Sequence, residues 1–194
     1  RVATIAWNNS RHFETYFAIS GMGAILHTLN PRYLPDQLIY ILNHAEDRML
    51  IVDPTFIPLV ESVQDKLDTV EVIIIASSKE AIPENSLNNV FSYEELIKDE
   101  SHENDWPELG EDESASLCYT SGTTGNPKGV LYSHRSTILH AVSICSALGF
   151  NSSSSVLPVV PMFHVNAWGV PYAALITGLT LVLPGHALDG ESLY

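Results

Sequence analysis

Short apolar runs alternate along the chain with segments of helical periodicity, and this alternation restricts the possible folds. The first four apolar runs lie at residues 2–7, 24–29, 49–52 and 70–76. The last of these is rich in β-branched residues, which favour a strand buried on both faces. Strands that alternate with helices predict right-handed crossovers. We therefore expect an α/β fold with a mostly parallel, doubly wound sheet and flanking helices.

Capping residues and apolar spacing predict the helix positions. Ser10 is expected to cap one helix, and Pro35 suits the first turn of the next. Another helix is expected over residues 57–67, and a further one after Ser133. The apolar side of the Pro35 helix consists of Leu38, Ile41, Leu42 and Ala45, and that of the Ser133 helix of Ile138, Leu139, Val142, Cys145 and Leu148. Later strands are expected at residues 156–160 and 179–183.

Composition excludes some classes of partner. The 194 residues include 9 basic and 23 acidic ones, a net charge of −14. This negative charge argues against nucleic acid or an anionic membrane surface as the main partner. Many of the acidic residues lie in residues 99–113. This patch is part of a polar segment, residues 77–113, which we interpret as a surface excursion within the domain. No apolar run is long enough to span a bilayer.

The two cysteines and the chain ends give expectations about context. Cys118 and Cys145 lie in apolar surroundings, which favours buried free thiols in a reducing compartment, so we predict a cytoplasmic protein. The chain begins at Arg1 and ends at Tyr194 inside what resembles a helix start. We expect a fragment that is cut at both ends.

A loop rich in glycine and threonine, within Tyr119–Val130, carries the main chemical signal. Apolar runs lead in and out, which predicts a strand, a loop and a second strand. Glycine lets the backbone approach a ligand and direct its N–H groups inward. Hydroxyls can bind phosphate or magnesium, and Lys128 can neutralise phosphate charge. The loop is therefore interpreted as a phosphate cradle, and a flexible surface hairpin is the alternative.

Two familiar phosphate-binding motifs do not fit this loop. A Walker A loop needs glycine and lysine side by side and then a helix, but here Lys128 follows Pro127 and precedes a strand-forming run. The dinucleotide fingerprint fails for the same reason, because no helix follows the glycines.

The string Tyr119–Val130 resembles the signature of the adenylate-forming superfamily. A second stretch, Val159–Trp168, is similar to that of the medium- and long-chain fatty acyl-CoA synthetases, especially the bacterial long-chain type. Residues 21–32 and 40–47 are similar to the same subfamily. The resemblance covers the chain except for residues 77–113, where it thins. It implies that residues 1–194 are an incomplete N-terminal AMP-binding domain without the C-terminal domain.

This resemblance implies a ligase that converts a fatty acid to acyl-AMP, releases pyrophosphate, and transfers the acyl group to CoA. The resemblance implies that ATP and Mg²⁺ are required and that CoA is a co-substrate. It also implies that Thr120 is the magnesium ligand. The implied catalytic residues are His164 and Lys128. The implied nucleotide-binding residues are Thr120, Ser121, Gly122, Thr123, Thr124, Gly125, Lys128, Val165 and Trp168.

His164 and Trp168 add the acyl half of the expected site. His164 follows a predicted strand and a proline, at the sheet edge where open α/β folds bind ligands. It can donate a hydrogen bond to the carboxylate or to an α-phosphate oxygen, and a structural histidine bonded to a backbone carbonyl is the alternative. Trp168 lies one helical turn further, so both can face one side. The resemblance implies that Trp168 gates the acyl tunnel and that Val165 lines the adenine side.

The remaining histidines are expected to be structural. His134 and His140 are too far apart in a helix to share one metal ion, and no paired metal-ligand motif is present. His12, His27 and His44 lie near the ends of predicted elements.

Two other functions remain open. One is an adenylate former for an aryl or amino acid, because the residues that would decide lie beyond Tyr194. The other is a non-catalytic fragment that dimerises, since the resemblance implies a homodimer. We expect the fragment alone to be inactive, because the later binding segments of such enzymes have no counterpart here.

Overall fold

The computed structural model describes residues 1–120 and 126–193, in which nine strands and seven α-helices occur. The strands are β1 (Val2–Ile5), β2 (Leu26–Thr28), β3 (Met49–Val52), β4 (Val72–Ile75), β5 (Val90–Ser92), β6 (Ser114–Thr120), β7 (Lys128–Ser133), β8 (Ser155–Val156) and β9 (Thr180–Leu181). The helices are α1 (Ser10–Gly21), α2 (Pro35–Ala45), α3 (Ile57–Glu61), α4 (Tyr93–Ile97), α5 (His134–Leu148), α6 (Val170–Thr177) and α7 (Gly190–Leu193).

Seven strands form one sheet in the order β5-β4-β3-β1-β2-β6-β7. Neighbouring strands run parallel except for β6 and β7, which form an antiparallel hairpin. The chain adds β2, β6 and β7 on one side of β1 and β3, β4 and β5 on the other. Right-handed connections in these two directions place helices on both faces of the sheet. The predicted α/β class and mostly parallel sheet are confirmed.

The two faces of the sheet carry separate hydrophobic cores. In β3, Leu50 and Val52 point into one core and Ile51 into the other, as strand alternation requires. Helices α2 and α3 pack on the first face. Helices α1, α5 and α6 contribute to the second, where Tyr16 and Tyr172 are buried.

Helix α2 follows the prediction closely. Pro35 occupies its first turn, where a missing N–H costs nothing. The four residues of the predicted apolar side are its buried residues. Glu46 then adopts a left-handed conformation with φ 55° and ends the helix.

Two other helix predictions are wrong in detail. Asn9, not Ser10, caps α1, because the Asn9 side chain accepts a backbone N–H of the first turn at 2.9 Å. The helix expected over residues 57–67 stops at Glu61. Val63 leaves the helical conformation, with φ −124°, and its side chain is buried in the core.

The acidic segment 77–113 contains an edge strand that the sequence pattern did not predict. Strand β5 pairs in parallel with β4, and α4 follows directly after its cap, Ser92. The segment then returns across the end of α1. Trp106 lies so close to Gly21 that a Cβ there would be 2.8 Å from its ring. This contact places the segment against the end of α1.

The strand predicted at residues 156–160 is shorter than expected and belongs to a second sheet. Strand β8 covers only two residues and pairs in parallel with β9. Pro158 and Pro161 lack the N–H that a strand ladder needs. Instead, the Asn8 side chain donates to the Pro158 carbonyl at 3.0 Å and accepts from the Met162 N–H at 2.6 Å. His164 therefore does not directly follow a strand of the main sheet.

Helix α5 begins as predicted, because the Ser133 hydroxyl accepts the Ser136 N–H at 3.1 Å. Its predicted apolar side is nevertheless largely exposed, and Ala141 is its buried residue.

The two cysteines are free thiols, as predicted. Cys118 is buried and Cys145 is half-buried. Among the described helices, none has the length and apolar character required to cross a membrane.

Candidate active site

The β6–β7 hairpin carries the predicted phosphate-loop residues at its open end. Thr120 and Lys128 are direct cross-strand partners, so their side chains lie on the same face of the hairpin. Both residues are exposed. Ser121, Gly122, Thr123, Thr124 and Gly125, which were predicted to bind nucleotide, lie outside the described residues.

The same hairpin face is in contact with the His164–Trp168 stretch. Ser116 and Cys118 alternate with Thr120 along β6 and share its side of the strand. Both hydrogen-bond to the side chain of Asn166. The structure thus brings the two predicted motifs to one side of the sheet.

The stretch from Val165 to Gly169 forms a left-handed turn. Its φ angles are 46°, 50°, 47°, 55° and 76°. A left-handed conformation costs about 1–2 kcal/mol for each residue with a Cβ. The prediction that Trp168 lies one right-handed helical turn beyond His164 is therefore wrong. The right-handed helix α6 starts only after Gly169.

Three polar side chains hold Asn166 in the core. Asn166 is 7% exposed, and its Nδ2 donates to the Ser116 Oγ at 2.9 Å. Its Oδ1 accepts from the Cys118 Sγ at 3.4 Å and from the Thr28 Oγ1 at 3.5 Å. Burial raises the pKa of the Cys118 thiol, which therefore stays protonated and serves as a donor at neutral pH.

Helix α5 supports the other end of the turn. The His140 Nε2 donates to the Trp168 carbonyl at 3.0 Å. Gly169 passes against this ring, because a Cβ at that position would lie 2.8 Å from it. Glycine also suits its positive φ of 76°.

The predicted site side chains of the turn point to solvent. Trp168 is 61% exposed, Val165 is 39% exposed, and His164 is exposed. Asn166 and Ala167 between them are buried. The turn therefore presents His164, Val165 and Trp168 from a firmly held backbone.

A cavity of about 250 Å³ lies between α5 and the turn. Its walls include Thr137 and His140 of α5, Val165 of the turn, and Tyr172 of α6. Tyr172 is buried, and its pKa is raised because burial disfavours the charged phenolate. The cavity can take an uncharged group next to the exposed His164–Trp168 segment.

Tyr119, on the opposite face of β6, is fixed by a set of contacts that the sequence did not indicate. The Tyr33 hydroxyl donates to the Tyr119 carbonyl at 3.2 Å, and the His44 Nδ1 lies 2.6 Å from the Tyr119 hydroxyl. Burial, with the nearby Asp47, raises the pKa of Tyr119 to about 12. These contacts hold the residue immediately before Thr120.

Arg135, at the start of α5, has a structural partner. Arg135 forms an exposed ion pair with Glu111 at 2.7 Å. Among the described residues, no group of three or more histidine, cysteine or acidic side chains is placed to hold a metal ion.

A sequence profile for "AMP-binding enzyme" matches residues 1–193. The chain is 53% identical over its whole length to 3-methylmercaptopropionyl-CoA ligase of Ruegeria pomeroyi, of which it covers 36%. It is 49% identical over its whole length to medium-chain-fatty-acid–CoA ligase of Ectopseudomonas oleovorans, covering 36% of that protein. It is 48% identical over its whole length to long-chain-fatty-acid–CoA ligase of Thermus thermophilus, covering 34%. The chain thus spans about a third of the length of these relatives.

Solved structures share the fold. A long-chain-fatty-acid–CoA ligase from Archaeoglobus fulgidus superimposes with a TM-score of 0.82 at 24% identity, covering 94% of this chain and 34% of that one. The anthranilate–CoA ligase AuaEII, solved in complex with anthranoyl-AMP, gives a TM-score of 0.79 at 26% identity, covering 96% of this chain and 35% of that one.

Proposed function

Because this chain belongs to the AMP-binding enzyme family, we propose that the whole protein is an AMP-forming fatty acid–CoA ligase. A carboxylate oxygen of the fatty acid attacks the α-phosphorus of ATP, the α–β phosphoanhydride bond breaks, and pyrophosphate leaves. The CoA thiolate then attacks the acyl carbon and AMP leaves. A free carboxylate is a poor acyl donor, whereas the mixed anhydride acyl-AMP has AMP as a good leaving group.

The observation that supports this proposal most strongly is the shared face of the two motifs. Thr120 and Lys128 lie on the hairpin face whose next side chains along β6 hydrogen-bond to Asn166. The turn around Asn166 presents His164. A phosphate-binding group and a carboxylate-binding group are the two halves that acyl adenylation requires.

In this proposal the hairpin binds the triphosphate. Lys128 neutralises the outer phosphates, and the Thr120 hydroxyl is an oxygen ligand of the kind that Mg²⁺ takes. The exposed ammonium and hydroxyl on one face fit such a group. Bound Mg²⁺ would lower the charge that the β- and γ-phosphates present. The nucleotide-binding backbone is proposed to include Ser121, Gly122, Thr123, Thr124 and Gly125.

The turn is proposed to handle the acid and the adenylate. His164 donates a hydrogen bond to the carboxylate or to an α-phosphate oxygen, which offsets the charge that develops there. Val165 lines the adenine side, and the exposed indole of Trp168 acts as a gate residue for the acyl group. The cavity between α5 and the turn supplies an uncharged lining beside them.

The proposal also covers the length of the acyl chain, the acceptor of the acyl group, the oligomeric state and the location of the protein. The named relatives are ligases for 3-methylmercaptopropionate, medium-chain and long-chain acids. We propose a medium- or long-chain acid as substrate, CoA as acceptor, a homodimer and a cytoplasmic location.

A pyrophosphate-release screen of the full-length protein tests this function. We expect ATP-dependent release with medium- or long-chain saturated acids, and acyl-CoA as the product when CoA is present. Release with aryl or amino acids alone would establish the alternative adenylate former. A non-catalytic module would be established by two results together. The protein would release no pyrophosphate with any acid, and it would sediment as a dimer at the same rate with and without ATP.

Lys128→Ala tests the phosphate assignment in the same assay. Removing a charge that stabilises the transition state is expected to lower kcat/KM by about 10²–10³-fold. Arg135→Ala is the matched control, because that cation is exposed and paired with Glu111; it should retain activity. An unchanged ATP dependence in Lys128→Ala would refute the phosphate role of the hairpin.

A further inference from the structure

The turn at residues 165–168 is a run of four left-handed residues, of which none is glycine. Side chains with a Cβ disfavour this conformation, so a run of this length needs contacts that select it. Asparagine tolerates it better than the other three residues, because its short amide can bond locally. Asn166 therefore fits this conformation best among the four residues.

Both polar groups of the Asn166 amide form hydrogen bonds with neighbouring side chains. Its NH₂ group donates to a Ser116 hydroxyl, and its oxygen accepts from a thiol and a hydroxyl. An uncharged amide offers the donor and the acceptor that these bonds use. Because the side chain is buried, loss of one end would leave polar atoms of β6 without a partner.

These bonds connect the turn to the strand that ends at Thr120. Ser116 and Cys118 occupy the same side of β6 as Thr120. Asn166 is two residues from both His164 and Trp168. The Asn166 amide thus links the turn to the strand that carries Thr120.

We infer that Asn166 is a positioning residue, which holds His164 and Trp168 in place relative to Thr120 and Lys128. This inference rests on the proposed acyl adenylation for its catalytic consequence. It does not require contact between Asn166 and any substrate. Ser116 is its partner in this role, since it accepts the shortest of the Asn166 bonds.

The test compares three variants of the full-length protein. Asn166→Gly keeps the backbone freedom for a left-handed turn and removes the amide. Ser116→Ala removes the main partner. Asn89→Gly is the matched control, because Asn89 also has a positive φ, 51°, and lies beside β5, away from the hairpin.

In Asn166→Gly, kcat for pyrophosphate release should fall by about 10²-fold, because small misplacements of reacting groups cost that much. The KM for ATP should change by a smaller factor than kcat, since the hairpin that binds the triphosphate is itself intact. Ser116→Ala should lower kcat in the same direction. The double variant should be no worse than Asn166→Gly, because both act through one contact.

Chymotryptic cleavage after Trp168, mapped by mass spectrometry, gives a readout that does not depend on activity. We expect faster cleavage in Asn166→Gly and Ser116→Ala and wild-type cleavage in Asn89→Gly. Unchanged kcat in Asn166→Gly, or additive effects in the double variant, would overturn the inference.

If the wild-type protein releases no pyrophosphate with any acid, the proposed function fails. The cleavage rate then decides alone whether Asn166 holds the turn: faster cleavage supports it, and a wild-type rate overturns it.

Discussion

At the scale of single residues, His12 is the clearest link between burial and pH. It is 2% exposed; its Nδ1 donates to the Trp7 carbonyl and its Nε2 accepts from the Thr4 hydroxyl, each at 3.0 Å. Both nitrogens are therefore used by the neutral ring. Burial lowers the pKa of His12 from 6.5 to about 4, against a smaller opposite effect of the Trp7 carbonyl.

The protein is expected to lose stability in acid through His12. Between pH 6.5 and pH 4 the unfolded chain binds a proton at this ring and the folded chain does not, so the free energy of unfolding falls as pH falls. The full loss is about 3 kcal/mol, from a shift of some 2.5 pKa units. Urea unfolding of wild type and His12→Gln at pH 7, 6 and 5 measures it.

The His12→Gln protein should show a flatter pH dependence across this window, even though it is less stable at pH 7. His102→Gln is the control, because His102 is exposed and should leave the wild-type slope unchanged. Equal slopes in all three proteins would rule out His12 as the source.

His27 and His44 show what residue types alone leave open. Both were expected to be structural, and both hydrogen-bond to protein side chains: His27 to Asp47 at 2.6 Å and His44 to Tyr119 at 2.6 Å. His27 and Asp47 are fully buried. The partners lie 20 and 75 residues away in sequence, so their identity depends on how β2, α2 and β6 are packed.

At the scale of elements, local periodicity predicted α2, β3 and the β6–β7 hairpin because their signals are contained in a few adjacent residues. The turn at residues 165–169 has no such signal. Its handedness is set by bonds from Asn166 to β2 and β6 and from His140 to the Trp168 carbonyl. The short β8 was overestimated for a related reason, since Asn8, far away in sequence, satisfies the backbone that follows it.

Tyr119 links α2 to the β6–β7 hairpin, which is proposed to bind the triphosphate. Tyr119→Phe removes the hydroxyl that meets His44 and keeps the ring. The loss of one hydrogen bond of about 0.5–1.5 kcal/mol loosens the end of β6 at Thr120. We expect the KM for ATP of the full-length protein to rise by about two- to tenfold, with a smaller change in kcat.

The His44→Ala variant should reproduce this rise, and the double variant should add little, because the two side chains share one bond. Tyr93→Phe is the matched control, since the Tyr93 hydroxyl donates to the Glu14 carboxylate at 2.8 Å, away from the hairpin. An unchanged KM in Tyr119→Phe would show that the Tyr33 bond to the Tyr119 carbonyl is sufficient.

At the scale of the whole molecule, α5 stands out because its apolar side is incompletely covered. Ile138, Leu139 and Val142 are between 49% and 55% exposed. Such a patch on a helix that also supports the candidate site is unfavourable in water. We expect another part of the whole protein to pack on it.

This expectation predicts effects of opposite sign for one substitution. In the 194-residue chain, Leu139→Lys should reduce self-association and binding of a hydrophobic dye, because it removes exposed apolar surface. In the full-length protein the same change should lower the free energy of unfolding by about 1–3 kcal/mol, because it places a charge in a packed interface. Ala147→Lys, on an exposed position of α5, is the control for added charge. If Leu139→Lys leaves full-length stability at the control value, the patch stays open to solvent in the whole protein.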